Sequence, residues 1–370
     1  MNKIKVLFSC TEFPPEPGGI GNHAFGLVKE LSEECEVFVL TENRGTTLGF
    51  DEFIKTQLKQ IKVLGIGRST IIWWTYLNRI MNFLLLSRKA NIHLYSGTFY
   101  IWLSNLSKSK VKKVLIIHGS EIKQTGIAKS LFQRALKRSD KIICVSNFTK
   151  NKLMAFYSLD WASKKTTVIN NGFISHGNNF EIKTNSPKEH LKLITVGGVH
   201  KRKGQQNVIS SIPELIKNGI ELEYLVVGIP LEQQMMQGLA ESLGIKDRIT
   251  FFGAVSEEEK WRLLLDAHIF LMLSEELDNG DFEGFGIALM EAMSVGVPVI
   301  GTKNSGIADA IKDGYGGYLV DSKNPLEIVE AVQNIRNNYE TYSLNAKDWS
   351  ENFTWDAIGQ KYLAVLKDLK

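Results

Sequence analysis

The chain alternates short, continuous apolar runs with longer stretches in which apolar residues recur every three or four positions. Short runs rich in Val, Ile and Leu, bounded by turn residues, predict buried strands, and the helical period predicts amphipathic helices between them. Their alternation is the pattern of a parallel sheet covered by helices, an α/β fold. In the first half the strands are expected at 5–10, 36–41, 92–95, 114–117, 141–145 and 167–169, with helices at 21–31, 73–88, 129–138 and 147–156. The pattern then loosens. Residues 170–192 are rich in Asn, Gly, Ser and His and read as a linker. A second series follows, with strands at 193–196, 223–227, 249–252, 269–273, 298–301 and 317–320. Helices at 205–218, 233–243, 257–266, 287–295 and 325–336 alternate with them, and an amphipathic tail helix closes the chain at 355–369. Two α/β halves joined by one linker predict domains at 1–172 and 190–354, plus the tail at about 355–370, and a ligand cleft between them.

Composition agrees with a globular protein of this organisation: 370 residues, 44% apolar, 23% charged and eight prolines. Cys10, Cys35 and Cys144 form no CxxC pair, which points to a reducing compartment and away from disulfides or a metal site. The first apolar run is short and meets Glu12, Pro14 and Pro15, so it predicts a buried strand rather than a leader. No apolar run approaches the roughly 18–20 residues that span a bilayer. A cytoplasmic location is therefore expected. Charge changes the picture more. Residues 1–180 hold 25 Lys/Arg against 12 Asp/Glu, while the remainder holds 19 against 28. The stretch 53–120 has 11 basic residues and no acid. Such a field favours an anionic partner, although a merely solvated basic face has the same composition. Within that stretch Trp73, Trp74, Tyr76, Leu77, Ile80, Met81 and Phe83 lie on one predicted helix, which suits either a core helix or a helix resting on a membrane surface. No nucleic-acid recognition motif is present.

Four segments carry candidate chemistry. The first is Asp281-Phe282-Glu283-Gly284-Phe285-Gly286-Ile287-Ala288-Leu289-Met290-Glu291. Its glycines admit close backbone approach, and a helix N-terminus offers unpaired N–H groups to a phosphate. Glu291, about one turn inside, is placed to accept two neighbouring ribose hydroxyls. The same pattern also describes a glycine-broken helix start with a satisfied Glu. The second is Val196-Gly197-Gly198-Val199-His200-Lys201-Arg202-Lys203-Gly204, whose three consecutive cations suit a diphosphate or, equally, solvent. The third is Pro17-Gly18-Gly19-Ile20-Gly21-Asn22, an imperfect dinucleotide fingerprint because a loop separates it from the strand; Glu42 stands where a ribose acid would. The fourth is His118-Gly119-Ser120-Glu121 at a strand C-terminus. No zinc spacing, P-loop or GxSxG elbow occurs.

In this order and spacing the segments resemble the retaining glycosyltransferases with two Rossmann-like domains facing across a cleft (the GT-B type), in the family-four or group 1 family. Val168-Ile169-Asn170-Asn171-Gly172, Ala292-Met293-Ser294-Val295-Gly296-Val297-Pro298 and Ser305-Gly306-Ile307-Ala308-Asp309 extend the resemblance along nearly the whole chain. It implies transfer of a sugar from a nucleotide diphosphate donor to an acceptor hydroxyl, without metal or other cofactor. It also implies an N-terminal acceptor domain, a C-terminal donor domain and a tail helix crossing back to the former. Lys203 and Arg202 would neutralise the diphosphate, and Glu291 would hold the ribose. Amides of Gly284, Phe285, Gly286 and Ile287 would bind phosphate or sugar oxygens, with Glu283 facing the sugar. His118 would contact the sugar hydroxymethyl, and Gly18 and Gly19 would turn backbone N–H groups toward the diphosphate. Two departures stand out. Gly198 replaces the family's arginine, and Phe173-Ile174 replaces its Val-Asp. A lipid-linked anionic acceptor at the inner membrane face, in surface-polysaccharide assembly, is the expectation from the basic N-terminal half. A nucleotide-sugar epimerase on the same fold and a non-catalytic sugar-binding protein are the alternatives.

Overall fold

The computed structural model describes residues 3–15, 18–43, 47–175 and 190–370. The chain divides into two compact units, Met1–Phe173 with Trp355–Lys370, and Ile174–Thr354. In the first, the chain runs β1 (Ile4–Cys10), α1 (Gly19–Glu34), β2 (Cys35–Asn43), α2 (Thr47–Gln57), β3 (Lys62–Gly67), α3 (Ile72–Leu86) and β4 (Ile92–Ser96). It continues with α4 (Thr98–Leu103), β5 (Lys112–Ile117), α5 (Gly126–Arg138), β6 (Lys141–Cys144), α6 (Asn147–Tyr157) and β7 (Thr166–Val168). The strands form one sheet in the order β3-β2-β1-β4-β5-β6-β7, and every pairing is parallel. Helices on both faces demand strands apolar on both faces. Val6, Leu7 and Phe8 of β1 and Val114 to Ile117 of β5 are accordingly all buried.

The second unit repeats the design with β8 (Leu191–Val196), α7 (Gln205–Lys217), β9 (Leu222–Val227), α8 (Gln233–Ser242), β10 (Ile249–Gly253), α9 (Glu257–Asp266) and β11 (Ile269–Met272). Then come α10 (Ile287–Ser294), β12 (Val299–Thr302), β13 (Gly317–Val320), α11 (Pro325–Asn337) and α12 (Tyr339–Ser350). Its parallel sheet has the order β10-β9-β8-β11-β12-β13. The core gathers Leu193, Ile212, Tyr224, Ile269 and Val332. Both units are doubly wound, Rossmann-like sheets.

The closing helix, α13 (Trp355–Asp368), belongs to the first unit. Two glycines let it lie against α1. A Cβ at Gly26 would sit 1.9 Å from the Trp355 ring nitrogen, and one at Gly359 would sit 1.9 Å from Glu30 Cγ.

Four elements lie outside those that the apolar pattern predicts: β3, α2, α4 and α12. β3 is an edge strand with glycines at 65 and 67 and mostly exposed or half-buried positions, so it carries no continuous apolar run. Six-residue α4 is shorter than two helical turns, too short to show a period. α12 is polar in sequence and stays in place by burying Tyr339, Tyr342 and Ala346. The expected linker splits: Leu191 and Lys192 already belong to β8, and residues 176–189 lie outside the described residues.

Candidate active site

A doubly wound sheet opens where its strand order reverses, because the loops after the two central strands leave in opposite directions. In the second unit that point lies between β8 and β11. The loop after β8 carries the cation run, and the segment after β11 carries the two-acid motif. Gly204 locks them together. It has φ +83°, and a Cβ there would lie 1.8 Å from the Leu273 carbonyl oxygen. No other residue fits.

The charges then meet. Lys203 Nζ lies 2.8 Å from Glu283 Oε2, and Arg202 Nη1 donates to the same oxygen. Arg202 Nε also approaches Asp281 Oδ2 at 3.2 Å. Burial alone would raise the Glu283 pKa, but the charges of Lys203 and then Arg202 outweigh it and hold the carboxyl below the usual range. Glu283 is therefore ionised at neutral pH. The same two cations, with burial as the larger cause, push His200 below its ordinary value. At Gly198, the position without the family arginine, the carbonyl accepts from Gln205 Nε2 at 3.1 Å.

Gly286 caps α10 in a left-handed conformation at φ +82°. Gly306 explains the downstream Ser-Gly motif: a Cβ there would come within 2.0 Å of the Glu283 carbonyl oxygen, so the acidic loop rests on a bare backbone. Phe285 is buried and its ring packs on Phe353 at 5.5 Å, which leaves only its backbone for a ligand. Glu291, one turn into α10, is 2.9 Å from Lys260 Nζ on α9. Lys260 also holds Glu257 at 2.8 Å. Burial works against its charge, but Glu291 and Glu257 raise its pKa overall. Lys260 had no motif around it in the sequence; only the fold brings it to Glu291.

In the first unit the strand order reverses between β1 and β4. Gly97, just after β4, has φ +83°, and a Cβ there would strike Thr11 Oγ1 at 2.0 Å, so the two loops touch. Gly18 faces the Glu12 carboxylate, which would lie 2.8 Å from its Cβ, while Gly19 at the start of α1 has no heavy atom within 4 Å of that position. Pro17 lies outside the described residues. His118 follows β5 and bonds Ser96 Oγ through Nε2 at 3.1 Å. Burial pushes its pKa down to about 4, so the imidazole is neutral. His23 of α1 packs edge-on against it at 4.9 Å, and His23 in turn touches Trp355 and Tyr362 of α13.

Glu121 stands three positions after His118, and the spacing alone does not mark it as a site residue. Its Oε2 accepts from the backbone N–H of His118 at 3.1 Å and of Gly119 at 2.9 Å. Its Oε1 is buried with no hydrogen-bond partner among the described residues. Burial, the largest cause, pushes its pKa up to about 7 against the opposing backbone bonds. Glu121 lines a cavity of about 490 Å³ with Thr11, Glu12, Gly97 and three aromatic residues, Tyr76, Phe99 and Trp102. The Trp102 Nε1 is likewise buried without a partner. Glu42, read as a candidate ribose acid, is instead in a buried ion pair with Arg79 at 2.8 Å. Among the described residues, no group of three or more His, Cys, Asp or Glu side chains could hold a metal ion.

Comparison with known proteins matches two family models end to end: Glycosyltransferase Family 4 over residues 17–174 and Glycosyl transferases group 1 over 178–352. The amylovoran biosynthesis glycosyltransferase AmsK of Erwinia amylovora is 28% identical over 229 residues, 61% of this chain and 55% of AmsK, so the match spans about half of that relative. Sucrose-phosphate synthase of Thermosynechococcus elongatus has the same fold at TM-score 0.79 and 17% identity, over 99% of both chains. Anabaena HepE, solved with UDP-glucose, follows at TM-score 0.74 and 17% identity, over 99% of this chain and 100% of that one. The two models leave little of the chain unmatched, and the chain belongs to the group 1, family 4 glycosyltransferases with two Rossmann-like domains.

Proposed function

We propose that the protein is a retaining glycosyltransferase that moves a sugar from a nucleotide diphosphate sugar to an acceptor hydroxyl in the assembly of a cell-surface polysaccharide or glycolipid. The observation that carries this reading is the convergence of Lys203 and Arg202 on Glu283 at the strand-order reversal of the second sheet. A cation pair already neutralised by one carboxylate can accept a diphosphate by exchanging partners. Neither cation is then buried alone at any stage. The diphosphate draws Lys203 and Arg202, the freed Glu283 turns to the donor sugar, and Glu291 accepts the ribose hydroxyls. Amides of Gly284, Phe285, Gly286 and Ile287 donate to phosphate or sugar oxygens.

Cleaving the sugar–phosphate bond places negative charge on the leaving diphosphate and positive charge on the ring. Fixed cations and amides stabilise the first without reorganising. The leaving phosphate takes the acceptor proton on the same face, so the anomeric configuration is kept and neither a protein nucleophile nor a metal is needed. Neutral His118 positions the sugar hydroxymethyl. The acceptor binds in the cavity beside it, where aromatic faces suit the apolar face of a sugar ring and Glu121 and Trp102 offer unpaired polar atoms to its hydroxyls.

The test is a thermal-shift screen of UDP-, GDP- and ADP-sugars, followed by turnover with a saccharide acceptor and NMR of the product's anomeric centre. A donor that stabilises the protein and a product of retained configuration are expected. Inversion, or interconversion of donors without an acceptor, would overturn the reading.

A further inference from the structure

Helix α3 is built inside out. Its buried residues are Thr75, Arg79 and Phe83, one row at a spacing of four. Arg79 is the helix's one charged residue, and it is turned inward to Glu42 at 2.8 Å, with its guanidinium over the rings of Tyr76 and Phe99 at 5.5 and 5.7 Å. Apart from Asn78, the exposed face is apolar. Trp73 is 80% exposed, Ile72 64%, Trp74 59%, Leu85 59%, Met81 52% and Leu77 46%. Trp73, Leu77, Met81 and Leu84 succeed one another at helical spacing, so they form one stripe. A monomeric soluble protein rarely shows so many contiguous large apolar side chains to water.

The charge around the helix says what covers that face. Exposed Arg88 and Lys89 follow it, exposed Arg68 precedes it at 3.7 Å from the buried Glu42 carboxylate, and the surrounding stretch 53–120 has no acid. A protein partner can be of either charge, but an apolar stripe flanked along the chain by cations and by no exposed acid between residues 53 and 120 is complementary to anionic headgroups over an acyl layer. Fifteen residues make a helix of about 22 Å, too short to cross a bilayer and long enough to lie on one. Among the described residues, no helix is long and apolar enough to cross a membrane.

We propose that α3 is an interfacial helix that lays its Trp73–Leu85 face into the surface of an anionic phospholipid bilayer. The aromatic rings settle at the headgroup level, and Arg88 and Lys89 contact phosphates. One consequence rests on the acceptor reading above. Tyr76 belongs to this helix and also lines the 490 Å³ cavity, so docking brings the cavity against the lipid surface, where a lipid-linked saccharide would be presented. The docking itself does not depend on that reading.

The experiment is co-sedimentation of the full chain with phosphatidylcholine vesicles, with and without phosphatidylglycerol, alongside tryptophan emission. The wild type is expected to sediment with phosphatidylglycerol vesicles with a blue-shifted emission, to bind pure phosphatidylcholine less, and to be released by high salt. The double variant Trp73→Glu, Leu77→Glu is expected to lose about tenfold or more of vesicle binding, because both positions are solvent-facing and contribute apolar contact. Its thermal shift with a donor sugar is expected to match the wild type, which shows that it is folded and separates failure of this proposal from failure of the glycosyltransferase reading. Wild-type protein left in the supernatant with both vesicles, or a variant that binds as well as the wild type, would overturn the proposal. So would sedimentation velocity showing a dimer that the variant abolishes, which would assign the face to a second copy of the chain.

Discussion

The two sheets reverse strand order in the same way, yet the titratable groups at the same end of each sheet are handled differently. In the second unit the two carboxylates of the acidic motif are compensated by cations: Glu283 by Lys203 and Arg202, Glu291 by Lys260. In the first unit, beside the buried Glu42–Arg79 ion pair, burial works against the charged forms of the groups near the cavity. His118 and His23 are both pushed below the ordinary imidazole range by burial, and Glu121 is pushed up to about 7 by the same cause. One fold thus offers two kinds of binding end. Paired charges suit a ligand that is itself an anion, since the ligand replaces one partner. Neutral donors and acceptors beside aromatic faces suit a ligand made of hydroxyls, which would not compensate a buried charge.

The sharpest way to break this contrast is to remove a charge from the compensated end. Lys203→Ala is expected to lower kcat by about 10²–10³-fold, the cost of one donor to developing negative charge. Steady-state kinetics with a saturating donor would show it, and a loss of less than tenfold would remove Lys203 from the site. The substitution also leaves Glu283 with one cation fewer, so its carboxyl pKa should rise toward the ordinary value. The acidic limb of the pH–rate profile should therefore move to higher pH. Next in size is Glu291→Ala. Loss of a carboxylate bound to two hydroxyls should raise donor KM by about ten- to hundredfold. A nucleotide lacking its ribose hydroxyls should then bind wild type and variant equally. If the variant still discriminates between the two nucleotides, the ribose is held elsewhere.

These two predictions fall where the sequence was most readable, and the reason is physical. The proposed phosphate and ribose contacts come from backbone at glycines and from short-range motifs, so Lys203 stands next to Gly204, and Gly286 five residues before Glu291, in two segments each legible by itself. The alternation of apolar runs also placed most strands within one or two residues, since parallel strands are apolar on both faces; Gly317–Val320 and Glu257–Asp266 were placed outright. What escaped depends on contact between distant segments. Lys260 reaches Glu291 from another helix. Tyr76, Phe99 and Glu121 come together from three segments and share no motif. Glu42 looked like a ribose acid at a strand end, but Arg79, 37 residues further on, claims it. Edge strand β3 is missing from the reading because half of it faces solvent.

The uncompensated end predicts a smaller effect of another kind. Tyr76→Ala and Trp102→Ala remove aromatic surface from the cavity and should raise acceptor KM by about tenfold, at roughly 1–1.5 kcal/mol each. Donor KM should not move. A donor effect of equal size would mean that the cavity does not hold the acceptor.

The smallest and most diagnostic effect concerns Glu121. Its carboxyl titrates near 7 in the folded chain and near 4.5 when unfolded. Between those values the folded state binds the extra proton, so this group's contribution to stability is greatest below the unfolded pKa. It declines as pH rises from about 4.5 to about 7 and stays low above that. His118 works in the opposite sense: its pKa is lowered to about 4, so the unfolded state takes the proton first and stability declines as pH falls below about 6.5. Replacing Glu121 by Gln keeps the shape and removes the titration. The melting temperature of Glu121→Gln relative to wild type should therefore increase on going from pH 5 to pH 8, and acceptor KM at pH 6 should stay within about twofold of wild type because a protonated Glu and a Gln both donate there. Above pH 7 the wild-type carboxylate repels any anionic acceptor and can only accept hydrogen bonds. Acceptor KM should then drift with pH in the wild type and stay flat in the variant. If both profiles are flat, Glu121 is a structural carboxyl bonded to the His118 and Gly119 amides. The neutral end of the comparison would then rest on His118 and the aromatic faces alone.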